Sequence, residues 1–231
     1  MTDFMTTPYF MVAITFFAYL LARWIRVKTH MQLLHPILIS IIILIIFLIL
    51  TNTSYESYNT GGTYIEFWLK PAVVALGVPL YRQLETIKKQ MVPLLLAELA
   101  GCLAGLISVV AFAEIFGASR DVIISLAPKA VTTPIALEIS RATGGIPPLT
   151  AAVVVCTGIF GSMAGFKIVS LCRIKSPMAG ALSIGTAAHA VGTAAAMERS
   201  QRSGAFSSLG LTLNGLLTAL LAPLILGLLG Y

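Results

Sequence analysis

Charge is what this chain has least of. Only 10% of its 231 residues are Asp, Glu, Lys or Arg, while 58% are hydrophobic, and the mean hydropathy is +0.93. Those values exclude an ordinary water-soluble globular domain. The few charges leave uncharged runs at 4–22, 29–55, 99–113, 142–166, 176–197 and 203–231. Most of these approach or exceed the roughly 20 residues that a membrane-spanning helix needs. Cysteine is scarce too: Cys102, Cys156 and Cys172 sit singly, without CxxC spacing or a histidine at metal-ligand distance. This argues against a disulfide framework or a zinc site and predicts small core residues. The chain has no P-loop, dinucleotide fingerprint or catalytic triad in credible context. It also lacks an Asp pair, a Ser-Lys dyad and an HExxH zinc motif of the kinds that intramembrane enzymes use. No enzymatic activity, cofactor or metal is expected.

The basic residues that are present cluster at the ends of apolar runs, as in Arg23, Arg26 and Lys28 and again in Arg82, Lys88 and Lys89. The excess of 15 Lys and Arg over 9 Asp and Glu therefore reads as the positive-inside pattern, not as a nucleic-acid surface. The reading is an all-α, polytopic helical membrane protein. Six full crossings are predicted, at about 8–27, 33–50, 65–81, 91–116, 148–172 and 205–230. The first follows Asp3 instead of a basic stretch and lacks a convincing cleavage site, so it is expected to be a retained helix. The polar run 51–62, with no Lys or Arg around it, is expected to be an external loop with interfacial tyrosines.

Two further segments, about 121–142 and 177–198, are apolar enough to enter a membrane but rich in small or polar residues. If the first crossed completely, Lys167, Arg173 and Lys175 would fall outside, against the charge rule. If each dips in and returns, these residues join Arg199 and Arg202 in the cytoplasm, and both termini are periplasmic. Two broken or re-entrant segments entering from opposite faces are therefore expected. A sequence echo between 69–75 and 126–132 suggests an inverted repeat, with halves 1–117 and 118–231 inside one transmembrane domain.

A broken helix carrying a lysine at membrane depth survives only where it is buried in protein or lines a wet cavity. Pro128-Lys129-Ala130-Val131-Thr132-Thr133-Pro134 is such a stretch. Pro134 has no N–H to donate and opposes the carbonyl of Ala130, so freed carbonyls and the hydroxyls of Thr132 and Thr133 are expected to face a cavity. A half-helix beginning there would aim its N–H groups at an anion, with Lys129 adding a full charge. In the second segment, helical spacing places Thr186, His189 and Thr193 on one face, with Gly192 among them. An imidazole in a membrane suits substrate binding or proton coupling. Glu98 and Glu138 are further coupling candidates, although Glu138 also has Arg141 three residues away as a partner. Asn52 and Tyr55 are candidates for a vestibule, and Thr150 for a helix cap or a substrate contact.

Together the stretches TNTSYESYNTGG (51–62), KPAVVALGVPLYRQ (70–83), PKAVTTPIALEIS (128–140), GGIPPLTAAVVVCTGIFG (144–161) and GTAAHAVGTAAAMERS (185–200) resemble the LrgB family, also written CidB/LrgB. This is a family of bacterial inner-membrane proteins related to the plant plastidal glycolate/glycerate translocator. The resemblance implies transport of small 2-hydroxy or keto monocarboxylates such as glycolate, glycerate, lactate or pyruvate. It implies, as the alternative, a holin- or antiholin-like pore or a regulator of murein hydrolase activity and cell lysis, with a small LrgA- or CidA-like membrane partner. The combined expectation is a secondary transporter in the lipid bilayer of the inner membrane, a homodimer, with a carboxylate held between the two broken segments and no nucleic acid partner.

Overall fold

The computed structural model describes residues 7–29, 34–68, 71, 74–75, 77–82 and 84–231, and they divide into two compact units, Met1–Leu76 and Gly77–Tyr231. The expected crossing at 65–81 and the first copy of the sequence echo, 69–75, lie in part outside the described residues. Among the described residues every regular element is helical.

In the first unit, α1 (Pro8–Thr29) packs on α2 (Pro36–Leu50) and on α3 (Tyr55–Phe67). The polar run 51–62 is not a loop throughout: Ser54 caps α3 by accepting from the Ser57 N–H, and Glu56 stands in the first turn, where the helix dipole favours an acid. Gly61 is needed there, because a Cβ would lie 2.5 Å from the Met11 Cβ of α1.

The second unit contains α4 (Gly77–Arg82), α5 (Leu84–Lys89), α6 (Met91–Ile115), α7 (Arg120–Leu126), α8 (Thr133–Thr143), α9 (Pro147–Leu171), α10 (Pro177–Arg199) and α11 (Gln201–Leu228). Among the described residues α1, α6, α9 and α11 are long and apolar enough to cross a membrane, and α2 is a shorter apolar helix. Their apolar side chains point outward in quantity. Leu216, Leu220, Leu224 and Leu228 form a stripe along α11, each at least 60% exposed. The buried side holds small and polar residues, as expected where lipid and not water is the solvent. Cys102 is in that core, whereas Cys156 and Cys172 are exposed, contrary to the expectation that all three would be packed inside.

Two half-length hairpins are set among the long helices. After α6, α7 runs back alongside it, so that Ile123 packs with Val110 and Ala113, and the Lys129 ammonium reaches the Gly105 carbonyl. The chain turns over residues 127–132 and α8 returns, bringing the Ile146 N–H onto Ser125 Oγ at 2.7 Å. The second hairpin is α10 itself. Ala188 and His189 have non-helical backbones, His189 at φ 41°. The chain reverses so sharply that a Cβ on Gly192 would lie 3.0 Å from the Ile184 carbonyl oxygen. The base closes where Arg202, at the start of α11, donates to Met178 at the start of α10. Each arm of roughly 10 residues reaches about 15 Å, half of a ~30 Å hydrocarbon layer.

The two hairpins enter from opposite ends. Met178 and Arg202 mark one end of the unit, and Glu114 with Tyr231, whose hydroxyl donates to that carboxylate, marks the other, where α7 begins. A helix followed by a hairpin thus occurs twice with opposite polarity, and its boundaries recur at a spacing of 56 residues: Met91 and Pro147, Ile115 and Leu171, Thr143 and Arg199. Proline at the first or second position starts α8, α9 and α10, where its missing N–H costs no helical bond.

Glycines let the second hairpin sit deep. Along α9, added Cβ atoms would meet His189 Cε1 at 2.6 Å from Gly158, Ala188 Cβ at 2.2 Å from Gly161 and Ile184 Cδ1 at 2.5 Å from Gly165. On the opposite side Gly185 lies so close to α11 that its Cβ would be 1.9 Å from the Ser207 carbonyl. Gly185→Val is expected to lower the thermal unfolding midpoint in detergent far more than Gly105→Ala, since no atom lies within 4 Å of a Cβ at Gly105. Equal midpoints would contradict this packing.

Candidate binding site

The two hairpin tips meet on one side chain. Asn214, in the middle of α11 and 2% exposed, donates from Nδ2 to the Ala130 carbonyl of the first tip at 3.2 Å and to the Thr186 carbonyl beside the second tip at 2.9 Å. Ala130 belongs to the turn between α7 and α8, and Thr186 stands just before the reversal of α10, so one amide satisfies acceptors on both hairpins. Its Oδ1 faces Thr218 Oγ1 at 3.4 Å, and Thr218 faces Cys102 Sγ at 3.4 Å.

Beside this junction lies a cavity of about 270 Å³, bounded by α6 (Gly101, Cys102, Gly105, Leu106), the first tip (Ala127, Lys129, Ala130), the first arm of α10 (Ser183, Thr186, Ala187) and α11 (Asn214, Thr218). Gly105 leaves it open. The Lys129 ammonium points across it and donates to the Gly105 carbonyl at 3.3 Å. Lys129 has three donor protons, so donors remain for a guest. Among the described residues Lys129 forms no ion pair within 4 Å. On the far side of Thr186, Glu98 is 1% exposed, with Oε1 2.6 Å from Thr186 Oγ1 and Oε2 without a partner. A small, mostly apolar chamber with one ammonium, one amide and two hydroxyls can hold a compact anion that carries its own hydroxyl. It has no set of three or more His, Cys, Asp or Glu side chains suited to a metal among the described residues.

Of the residues singled out from the sequence, Lys129 and Thr186 line this cavity and Glu98 bonds to its wall. Thr132 caps α8 by backbone geometry without a side-chain bond, and Thr133 and Pro134 form its first turn, beyond the lining. The expected common face of Thr186, His189 and Thr193 is not present, because the reversal at Ala188 and His189 places them on different arms. His189 bonds through Nε2 to the Val154 carbonyl of α9 at 2.9 Å, Thr193 pairs with Ser207 Oγ at 3.0 Å, and Gly192 packs within the hairpin. Thr150 is buried in a hydroxyl cluster, donating to Ser140 Oγ at 2.8 Å and close to the Ser125 carbonyl, and so ties α9 to the first hairpin. Glu138 is exposed and paired with Arg141. Asn52 and Tyr55 belong to the first unit: Asn52 follows α2 with φ 49°, and Tyr55, the first residue of α3, is 66% exposed. Asn214, Ser183 and Thr218 line the cavity as well and are not among the residues singled out from the sequence. The signal for Asn214 is an amide alone in the apolar run 203–231.

His189→Ala should therefore destabilise the tip by about 1–3 kcal/mol, through a buried carbonyl left unpaired. A thermal midpoint in detergent equal to that of the wild type would contradict this role.

The chain matches the LrgB-like family over residues 15–228. It belongs to that family. Among curated proteins it is similar to the holin-like protein CidB of Staphylococcus epidermidis, 35% identical over 216 residues and 94% of each chain. It is also similar to the antiholin-like protein LrgB of Bacillus cereus, 33% identical over 225 residues, 97% of this chain and 98% of that one. YxaC of Bacillus subtilis is 36% identical over 214 residues, 93% of each chain. No solved structure matches the chain. The LrgB-like assignment fits a multi-pass helical membrane protein, and the names of CidB and LrgB describe holin-like and antiholin-like proteins.

Proposed function

We propose that this LrgB-like protein carries a small monocarboxylate, of the glycolate, glycerate, lactate or pyruvate class, across the bacterial inner membrane. The observation that carries the reading is the cavity beside the junction of the two hairpin tips, with the Lys129 ammonium inside it. At about 270 Å³ it suits a few-atom acid better than a sugar or a peptide. Two half-depth hairpins converging from opposite ends around a central site is a plan that alternating access can use, with each hairpin serving as the barrier on its own side. On this reading both hairpins are re-entrant in the bilayer.

Charge supports an orientation. Lys88, Lys89, Arg173, Lys175, Arg199 and Arg202 gather at the end where α10 and α11 begin, with Arg199 stacked 3.8 Å over the Phe166 ring. The positive-inside rule makes this end cytoplasmic, and the C-terminus periplasmic. The N-terminus, reached through the first unit, is periplasmic by the basic group at 23–28. A cysteine placed beside Arg173, in a background without native cysteines, should react with an impermeant thiol reagent only from the cytoplasmic side. Reaction from the periplasm would reverse the topology.

The names of the relatives, holin-like and antiholin-like, support a second reading, that of a holin- or antiholin-like protein; we propose under it a pore or a regulator of murein hydrolase activity and lysis, working with a small LrgA- or CidA-like membrane partner. Proteoliposome uptake separates the two. A carrier gives glycolate uptake that saturates and is competed by lactate; a pore gives flux linear in concentration, without competition and shared by other solutes of that size. Under either reading we propose a homodimer, which cross-linking in native membranes tests separately.

A further inference from the structure

We propose that Glu98 is a proton-binding site, held as the neutral acid and bonded to Thr186, which links the cavity at the hairpin tips to a proton. The inference rests on the transport reading for its role and on the burial of the carboxyl group, with one oxygen unpartnered, for the protonation itself. Thr186 Oγ1 lies 2.6 Å from Glu98 Oε1 and 2.9 Å from the Leu182 carbonyl. A hydroxyl has one proton to donate, whereas a carbonyl and a carboxylate can only accept. The single Thr186 proton either is shared between the two acceptors in a three-centre bond or stays on Leu182, the usual back-bond of a helical threonine, while Glu98 brings its own proton to Thr186. The second oxygen, Oε2, is buried with no partner, which is tolerable for the carbonyl of a neutral acid and very costly for an ionised carboxylate.

Among the described residues no counter-charge is in contact with Glu98. On α6 itself Cys102 lies one turn away, and Glu114 is at the far end. From the first tip the Lys129 ammonium is turned to the Gly105 carbonyl, and from α10 the His189 ring is turned to Val154. α11 presents Asn214 and Thr218 here, its own titratable groups, Arg202 and Tyr231, being at its two ends, and Lys88 of α5 pairs with Glu85 on the exposed end of the unit. Glu98 and the cavity share one wall residue, Thr186, whose carbonyl is held by Asn214. Releasing the proton leaves the carboxylate and the Leu182 carbonyl competing for the single Thr186 proton, which shifts the balance of those two bonds. Occupancy of the proton site therefore alters the arm that bounds the anion site. Proton movement across this wall, in step with the anion, requires no other co-reactant.

The test is the infrared spectrum of the purified protein at neutral pH. The band of a protonated, hydrogen-bonded carboxyl group should be present in the wild type and absent in Glu98→Gln. In Thr186→Val it should remain and shift to the higher frequency of an acid without a partner. Identical carboxyl bands in the wild type and Glu98→Gln would overturn the proposal. In proteoliposomes Glu98→Gln, which keeps a donor toward Thr186, should retain glycolate exchange at equal pH and lose acceleration by an inward proton gradient. Acceleration retained in that variant would also overturn it. Absence of glycolate uptake in the wild type would contradict the transport reading alone, because the carboxyl band is read without any substrate.

Discussion

Asn214→Leu is expected to damage this protein more than any other single change to a side chain of similar size. The amide donates to two carbonyls, Ala130 and Thr186, on the two hairpins. Each unsatisfied carbonyl costs about 1–3 kcal/mol in a buried setting, and bonds between helices in membranes lie toward the lower end of that range, so a loss of about 2–4 kcal/mol is predicted. Leucine also fills the edge of the cavity. A thermal unfolding scan in detergent should show a large drop in midpoint, with glycolate uptake abolished. Asn214→Asp should be nearly as harmful despite its matching shape, since a carboxylate would present acceptors to two acceptors. A midpoint close to that of the wild type in both variants would mean that the tips are held together by something else.

Lys129→Met is the second. Methionine keeps an unbranched apolar stem of similar length, so packing around Ala127 and Leu106 should survive, and only the ammonium is removed. A charge-assisted hydrogen bond to a carboxylate is worth about 1.5–3 kcal/mol, so glycolate uptake at sub-saturating concentration should fall about 10- to 100-fold with normal membrane insertion. Lys129→Arg should recover only part of it, because a planar guanidinium is wider than the space one ammonium occupies beside the Gly105 carbonyl. Full uptake in Lys129→Met would remove the anion site from this cavity.

Much of the architecture was legible because the bilayer makes helix ends and charge positions informative. Pro134 marked the break before α8, and the lysines and arginines favoured a chain that turns back within the segments near 121–142 and 177–198, as it does at 127–132 and at Ala188 and His189. The break at 128–134 was visible because Pro134 cannot continue a helix from Ala130. The reversal in α10 was not visible in the same way. No proline stands there, and its turning residue is a histidine at positive φ, a conformation that non-glycine residues rarely adopt. It is accommodated by Gly158 and Gly161 on the neighbouring α9, so the cause lies outside the segment. Helical periodicity carried through that point necessarily put Thr186 and Thr193 on one face, where the structure puts one on the cavity and the other against Ser207. Asn214 was hidden for the opposite reason. It sits in an unbroken apolar helix, and only the meeting of two distant turns gives its amide a role.

The proposed transport requires an anion to occupy the space between the tips. Ala187 lines the cavity on the arm that turns at His189, and a cysteine there, with Cys102, Cys156 and Cys172 replaced, reports on that space. The decisive measurement is the rate at which Ala187→Cys reacts with a small anionic thiol reagent as glycolate is added. The predicted result is saturable protection by glycolate, absent when Lys129 is also changed to Met; an unchanged rate at every glycolate concentration would contradict the account.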